Sequence, residues 1–224
     1  MRFCAASDQS MLIYLGEEIG LATHEHVLRL LRVLQKEPPA WLRNVQPAYC
    51  SLMITFDALR VDHAAVESAL REFEQRAETL RPPKSRNVEI PVCYEGEFAP
   101  DLEDVARLHN LEPKDVVRFH TSRTYHAYFL GFAPGFAYLG DLPDEIATPR
   151  LDVPRKQVPA GSVAIAGKQT AVYPFPTPGG WRLIGRTPLS LFRANRKPMQ
   201  RISMGDQVRF RPISQKQFRE LASA

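Results

Sequence analysis

Five polar side chains stand beside proline- and glycine-rich turns between Phe129 and Phe192: Arg155, Gln169, Tyr173, Arg182 and Arg186. A guanidinium binds a carboxylate or phosphate through two parallel N–H groups. A glutamine amide and a tyrosine hydroxyl read an amide or a carboxylate. Such groups recognise a small anionic or amide ligand and hold no nucleophile. Arg155 is flanked by proline in PRLDVPRKQVPAG, which suits a rigid anion clamp, although a surface arginine in an extended loop is the plainer account. Arg186, just before Thr187-Pro188, can point into the same site. His120, where the chain enters the glycine-rich stretch, is the candidate for proton transfer.

Aromatic residues surround these groups. Phe132, Phe136 and Tyr138 lie around Gly131, Gly135 and Pro134 in GFAPGFAYL, and Trp181 follows Pro178-Gly179-Gly180. Glycine permits positive φ or close backbone approach, so Gly135 belongs with the candidates. Phe132, Gly135, Gln169, Tyr173 and Trp181 form the expected substrate-binding set, and His120, Arg155 and Arg186 the catalytic set. A tightly packed turn with core aromatics explains the GFAPGFAYL segment as well as a pocket does. Familiar fingerprints are missing. No Gly-Lys-Ser/Thr follows GFAPG, Gly161-Ser162 is not a GxSxG elbow, and neither HExxH nor CxxC occurs, so no metal site is expected. A chain without these motifs need not hold a complete catalytic machine.

The positioning elements fall into two groups. MLIYL (11–15) is a strand ending at Gly16, followed by a helix capped by Thr23 with Val27, Leu30, Leu31 and Leu34 on one face. His24 and His26 are read as surface residues of its first turn. VQPAYCSLMITF (45–56) alternates as one half-buried strand. A second helix begins at Asp62, carries the stripe Val66, Leu70, Phe73, Ala77 and Leu80, and stops at Pro82-Pro83. The order strand–helix–strand–helix predicts a small α/β sandwich, with RPPKSRN as the linker out of it. Beyond the linker come a strand at 88–94, a short helix capped by Asp101, a helical turn around Pro113–Val117 and a strand at 124–130. After the glycine-rich stretch come a Gly-Asp turn, a strand bearing Val208 and Phe210 on one face, and a terminal amphipathic helix. The domains are set at 1–84 and 85–224.

Composition narrows the classes. Lys and Arg number 29 against 25 Asp and Glu, a scattered excess of +4 without the basic cluster of a nucleic-acid surface. Three widely spaced cysteines argue against a disulfide framework or zinc site. No apolar run is long enough to cross a bilayer, and the first residues lack a signal-peptide pattern. The expectation is a cytoplasmic protein that binds neither nucleic acid nor membrane.

GFAPGFAYL, PR…VPAGSVAIAGKQTAVYP and PGGWRLIGRTPLSLF, in this order, resemble the Kip-type sporulation-kinase-inhibitor family, also called the allophanate hydrolase subunit 1 family. PAYCSLMITFD (47–57) and GDQVRFRPI extend the resemblance over almost the whole chain. Departures are small: Ala137 stands for a usual proline, Ala171-Val172 for Gly-Ile and Thr177 for Ser, and the N-terminal motif is reduced to SDQSMLIYLG. The resemblance implies an α+β chain, with an N-terminal α/β domain followed by a cyclophilin-like β-barrel. It also implies work with partners: a second barrel subunit related to allophanate hydrolase subunit 2, and a LamB/YcsF-type subunit. The reaction implied is ATP-dependent opening of 5-oxo-L-proline to L-glutamate, as in 5-oxoprolinase, with the chain inactive alone.

That chemistry suits the residues. A five-membered lactam is a poor electrophile, and phosphorylation of its oxygen by ATP lets water open the ring. Such a step needs cations more than covalent help. Arg155, Arg186 and Lys168 are the candidate cations, with Gln169 and Tyr173 orienting the substrate. Two other readings compete: a regulator that inhibits a sensor histidine kinase through the barrel surface, and a urea- or allophanate-related carboxylase–hydrolase subunit.

Overall fold

The structure is a computed structural model that describes residues 1–80 and 84–223. The chain divides into two compact units, Met1–Lys84 and Ser85–Ala224. Residues 81–83 of the expected linker, and with them the Pro82-Pro83 stop, lie outside the described residues.

The first unit runs β1 (Arg2–Ser7), β2 (Ser10–Tyr14), α1 (Leu21–Lys36), β3 (Leu42–Pro47), β4 (Ser51–Phe56) and α2 (His63–Glu78). Its antiparallel sheet has the order β1-β2-β4-β3, and α1 packs on α2, β3 and β4. Ile13, Leu52, Ile54 and Phe56 from the strands are fully buried, as are Val27, Leu30 and Leu34 of α1 and Val66 and Leu70 of α2. Each such side chain contributes about 1.5–3 kcal/mol of apolar burial.

Several expectations are corrected here. β1 is an additional strand, and the order is strand–strand–helix repeated. Residues 45–56 are not one strand: the chain turns after Pro47, Ala48 N–H donates to Ser51 O at 2.8 Å, and β4 returns antiparallel to β3. Gly20, not Thr23, holds the N-cap of α1, and His24 is fully buried. Leu80 is exposed and lies beyond the end of α2. Asp62 caps α2 as its type requires, accepting from Ala65 N–H at 2.8 Å.

The second unit contains β5 (Asn87–Cys93), α3 (Leu102–Leu108), α4 (Pro113–Thr121), β6 (Thr124–Leu130), β7 (Ala137–Gly140), β8 (Arg155–Val158), β9 (Ser162–Ala166), β10 (Gln169–Val172), β11 (Thr177–Gly179), β12 (Arg182–Arg186), β13 (Gln207–Ile213) and α5 (Gln215–Ala222). Seven strands close into a barrel in the order β10-β7-β6-β13-β5-β12-β9, with β10 also paired to β9. β5 and β13 pair in parallel; the other barrel pairs are antiparallel.

Alternation along these short strands creates two apolar layers. One parity from all seven strands converges on a single core: Ile90 and Val92, Tyr125 and Ala127, Ala137 and Leu139, Val163 and Ile165, Val172, Ile184, Val208 and Phe210. A barrel this small is filled by its own side chains. The other parity of β7, β9, β10 and β12 carries Tyr138, Ala164, Ala166, Ala171 and Leu183, which pack with Phe136, Tyr173 and Trp181 in a separate cluster. The glycine-rich stretch is therefore organised on the outer side of the barrel wall.

Candidate functional site

Three segments build a pocket on that outer side. The first is the turn leading into β7. Ala133 N–H donates to Gly131 O at 2.7 Å, and Phe136 N–H donates to Ala133 O at 3.0 Å. The first bond spans only two residues and places Phe132 at φ +66°, a left-handed conformation costly for a bulky side chain. Phe132 is nevertheless 62% exposed. Strain spent to present an apolar ring to solvent is a feature of ligand-binding turns.

The second segment is a two-stranded ribbon of β8 and β11, with Arg155 opposite Gly179. It brings Pro154, Pro178, Gly179 and Gly180 to the pocket. A Cβ on Gly179 would collide with the Tyr173 hydroxyl, so only glycine lets that hydroxyl approach the ribbon. The third segment, from Tyr173 to Trp181, supplies the floor. Phe136 meets Tyr138 at 5.0 Å, Tyr173 at 5.3 Å and Trp181 at 5.8 Å between ring centroids, all edge-to-face. The half-open pocket measures about 280 Å³.

Among the described residues, one cation lines it. Arg150 lies at the mouth with its guanidinium 5.8 Å from the Trp181 ring centroid. Burial pushes the Tyr173 hydroxyl up, opposed by a backbone hydrogen bond at Trp181 and the charges of Arg150 and Arg155. Burial also raises Tyr138, with Arg150 opposing. Both phenols therefore stay protonated at neutral pH and can donate. The arrangement suits a small flat ring against aromatic faces, a carboxylate on Arg150 and a carbonyl oxygen on a phenol.

The structure brings together part of the expected set. Phe132, Tyr173 and Trp181 line the aromatic pocket, and Phe132 and Gly135 line a neighbouring cavity of about 380 Å³ with Phe192 and Gln200. Gln169 sits in β10 and lines neither cavity.

Arg155 and Arg186 are each held by a different protein acceptor. Arg155 Nη2 donates to Asp101 Oδ1 at 2.5 Å, and Arg186 Nε donates to Ala160 O at 2.9 Å. A register shift between Leu183 and Gly185 interrupts regular alternation along β12 just before Arg186. Lys168 is exposed and paired to Asp144 at 2.7 Å.

Asp101 lies at the N-cap of α3 without bonding that helix through its side chain. Its Oδ2 accepts instead from Leu183 N–H at 2.6 Å.

His120 lies inside α4, which runs on past the expected turn to Thr121, and is fully buried. Thr170 Oγ1 donates to Ala164 O at 3.0 Å, so it accepts from His120 Nε2–H at 2.9 Å. The bare Nδ1 then accepts from the Tyr94 hydroxyl at 2.8 Å. Burial lowers the imidazole to about 3, so it is neutral. The ring stacks on Phe210 at 4.5 Å. A proton-transfer group must reach the reacting atoms, and His120 is sealed in the core.

Sequence reasoning passes over two groups of cations. Arg150 stands in the same proline-rich loop as Arg155, and nothing local marks it out; its proximity to Trp181 across 31 residues is a tertiary fact. Arg193, Arg196 and Arg201 line a third cavity with Arg86, and their only signal in the sequence is a modest local excess of arginine.

A small α/β unit followed by a closed, side-chain-filled barrel of cyclophilin-like type, with a polar–aromatic pocket on the barrel wall, defines a carboxyltransferase-type architecture. The chain belongs to the family described as carboxyltransferase domain, subdomain C and D, which it matches over residues 1–202. It is 43% identical over 222 residues to a Bacillus subtilis (strain 168) protein named as the B subunit of 5-oxoprolinase, covering 94% of this chain and 92% of that protein. The crystal structure of TTHA0988 superposes with a TM-score of 0.81 at 33% identity, covering 93% of this chain; the chain spans 40% of that one. The K. lactis urea amidolyase structure gives a TM-score of 0.82 at 19% identity over 99% of this chain and 15% of that chain, a likeness of fold alone.

Proposed function

We propose that this chain is the B-type component of an ATP-dependent 5-oxoprolinase and supplies the wall that holds 5-oxo-L-proline. The carrying observation is the pocket of Phe132, Phe136, Tyr138, Tyr173 and Trp181 with the guanidinium of Arg150 at its mouth. The name of the 43%-identical relative supports the same reading. 5-Oxoproline is a five-membered ring with one carboxylate and one lactam carbonyl. Its ring faces fit the aromatic walls, its carboxylate pairs with Arg150, and its carbonyl accepts from Tyr173.

Among the described residues, the pocket lining includes no carboxylate or histidine to activate water. The hydrolytic base therefore comes from a partner, and the chain is inactive alone. The partners are a second barrel subunit and a LamB/YcsF-type subunit. ATP is the co-substrate: its terminal phosphoryl group passes to the lactam oxygen and ADP leaves; a first water adds to the ring carbon and the C–N bond opens, the nitrogen taking up a proton, to leave an acyl phosphate, which a second water hydrolyses to glutamate and phosphate. This chain's part is to orient the lactam and neutralise its carboxylate.

The test is to co-produce the chain with both partners and follow glutamate release from 5-oxoproline with and without ATP. Turnover that needs ATP and all three chains is expected. A complete, correctly assembled complex that releases no glutamate would overturn the reading.

A further inference from the structure

The hairpin from Phe192 to Gln200 carries charge that the aromatic pocket does not use. A bridge between those two residues closes it. Arg193 N–H donates to Met199 O and Arg201 N–H to Leu191 O, each at 2.8 Å. The folded loop gathers Arg193, Arg196 and Arg201 around one cavity of about 180 Å³, with Arg86 at its edge.

Arg86 is already neutralised. Its Nε donates to Asp206 Oδ1 at 3.0 Å and its Nη2 to Oδ2 at 2.5 Å. Among the described residues no carboxylate pairs with Arg193, Arg196 or Arg201; Arg201 Nε has only the Ser190 carbonyl, at 3.3 Å. Burial lowers the Arg201 guanidinium from its ordinary value, and the charges of Arg196 and Arg193 add to that. Three like charges around one cavity repel one another, and an entering anion relieves the repulsion.

We propose that this arginine-lined cavity binds a phosphoryl group. Planar guanidiniums present paired N–H donors that match phosphate oxygens from several sides. At about 180 Å³ this cavity has room for a phosphoryl group and leaves any nucleoside outside. Gln200 lines both this cavity and the one walled by Phe132, and Phe132 also lines the aromatic pocket. A bound phosphoryl group thus sits at one end of a continuous surface whose other end is the aromatic pocket. The binding site rests on its own charge and shape; its part in ATP-dependent ring opening rests on the proposed function.

The test is calorimetric titration of the full chain, without partners and in phosphate-free buffer, with inorganic phosphate, ADP and ATP at low and raised salt. Salt-sensitive binding is expected, weakened at least about tenfold by Arg201→Gln and by the double variant Arg193→Gln/Arg196→Gln, with melting temperatures unchanged. Tighter binding of ADP or ATP than of phosphate identifies a nucleotide as the source; equal binding identifies free phosphate. No binding of any of the three, or binding equal in the variants, overturns the proposal. So does loss of partner association in the variants without phosphate binding, which would give the cavity to a partner's carboxylate. Phosphate binding that survives alongside a failed glutamate assay would sink the enzymatic reading and leave this site standing.

Discussion

Asp101 and Arg155 are 54 residues apart in the chain, and their side chains meet at 2.5 Å. Asp101 also exchanges two hydrogen bonds with Leu183: its N–H donates to Leu183 O at 2.9 Å and its Oδ2 accepts from Leu183 N–H at 2.6 Å. One nearly buried carboxylate thus ties the start of α3 to β12 and to the β8–β11 ribbon that walls the aromatic pocket. Arg155 acts in this fold as a positioning residue.

Arg155→Ala leaves the Asp101 carboxylate buried with one partner fewer. A loss of about 2–3 kcal/mol is expected, below the range for fully buried pairs because Arg155 is part-exposed. Arg155→Lys should recover part of it through the retained charge. Chemical denaturation measures both. Activity lost in the alanine variant with no change in stability would contradict a positioning role.

Arg150 is exposed and bears no carboxylate partner among the described residues, so its removal should leave folding intact. In the assembled complex Arg150→Ala should raise KM for 5-oxoproline about 10- to 100-fold, the worth of one charge-assisted contact. The change in kcat should be smaller. Steady-state kinetics at saturating ATP separates the two, and an unchanged KM would remove Arg150 from the substrate site.

Gly135 has φ +82°, and a Cβ there would stand 2.8 Å from Phe192 Cβ and 3.2 Å from Leu191 O. Gly135→Ala therefore combines a backbone cost of about 1–2 kcal/mol with a clash against the arginine hairpin's first residue. A lower denaturation midpoint is expected, with NMR shifts spreading from the turn into residues 191–201. Shifts confined to the turn would show that the two segments are not mechanically coupled.

His120 makes the second unit acid-sensitive. Its pKa falls from near 6.5 in the unfolded chain to about 3 in the fold because burial disfavours the charged ring. The unfolded state takes up the proton first as pH drops. The stabilisation is therefore complete above pH 6.5 and is lost as pH falls from 6.5 toward 3. Its full size is on the order of 4–5 kcal/mol, with a slope near 1.4 kcal/mol per pH unit. His120→Gln should flatten the stability curve in that window, measured by urea denaturation at several pH values. Identical curves for the two proteins would count against a neutral, buried imidazole.

Local signals in the chain carried a large share of this structure. TYHAYFL is β6 from its first residue to its last, Asp62 caps α2, and Val208 and Phe210 turn inward together from β13. Each rests on neighbours within a few residues, where alternation and capping act. The ordered motifs of residues 131–192 likewise carried the family and the fold it implies.

Contacts made across the chain were decided elsewhere. His24 and His120 look like surface residues or candidates by type, yet packing seals both. Arg186, expected to share a site with Arg155, donates its Nε to Ala160 O. Arg193, Arg196 and Arg201 are spaced too widely for any short motif, and only the closed hairpin makes them one cavity. Sequence alone determined where β6 and β13 run and where α2 begins, because those choices are set by local sterics, capping and apolar period. Tertiary structure alone decided which polar groups face one another, because a charge's partner depends on distances through space.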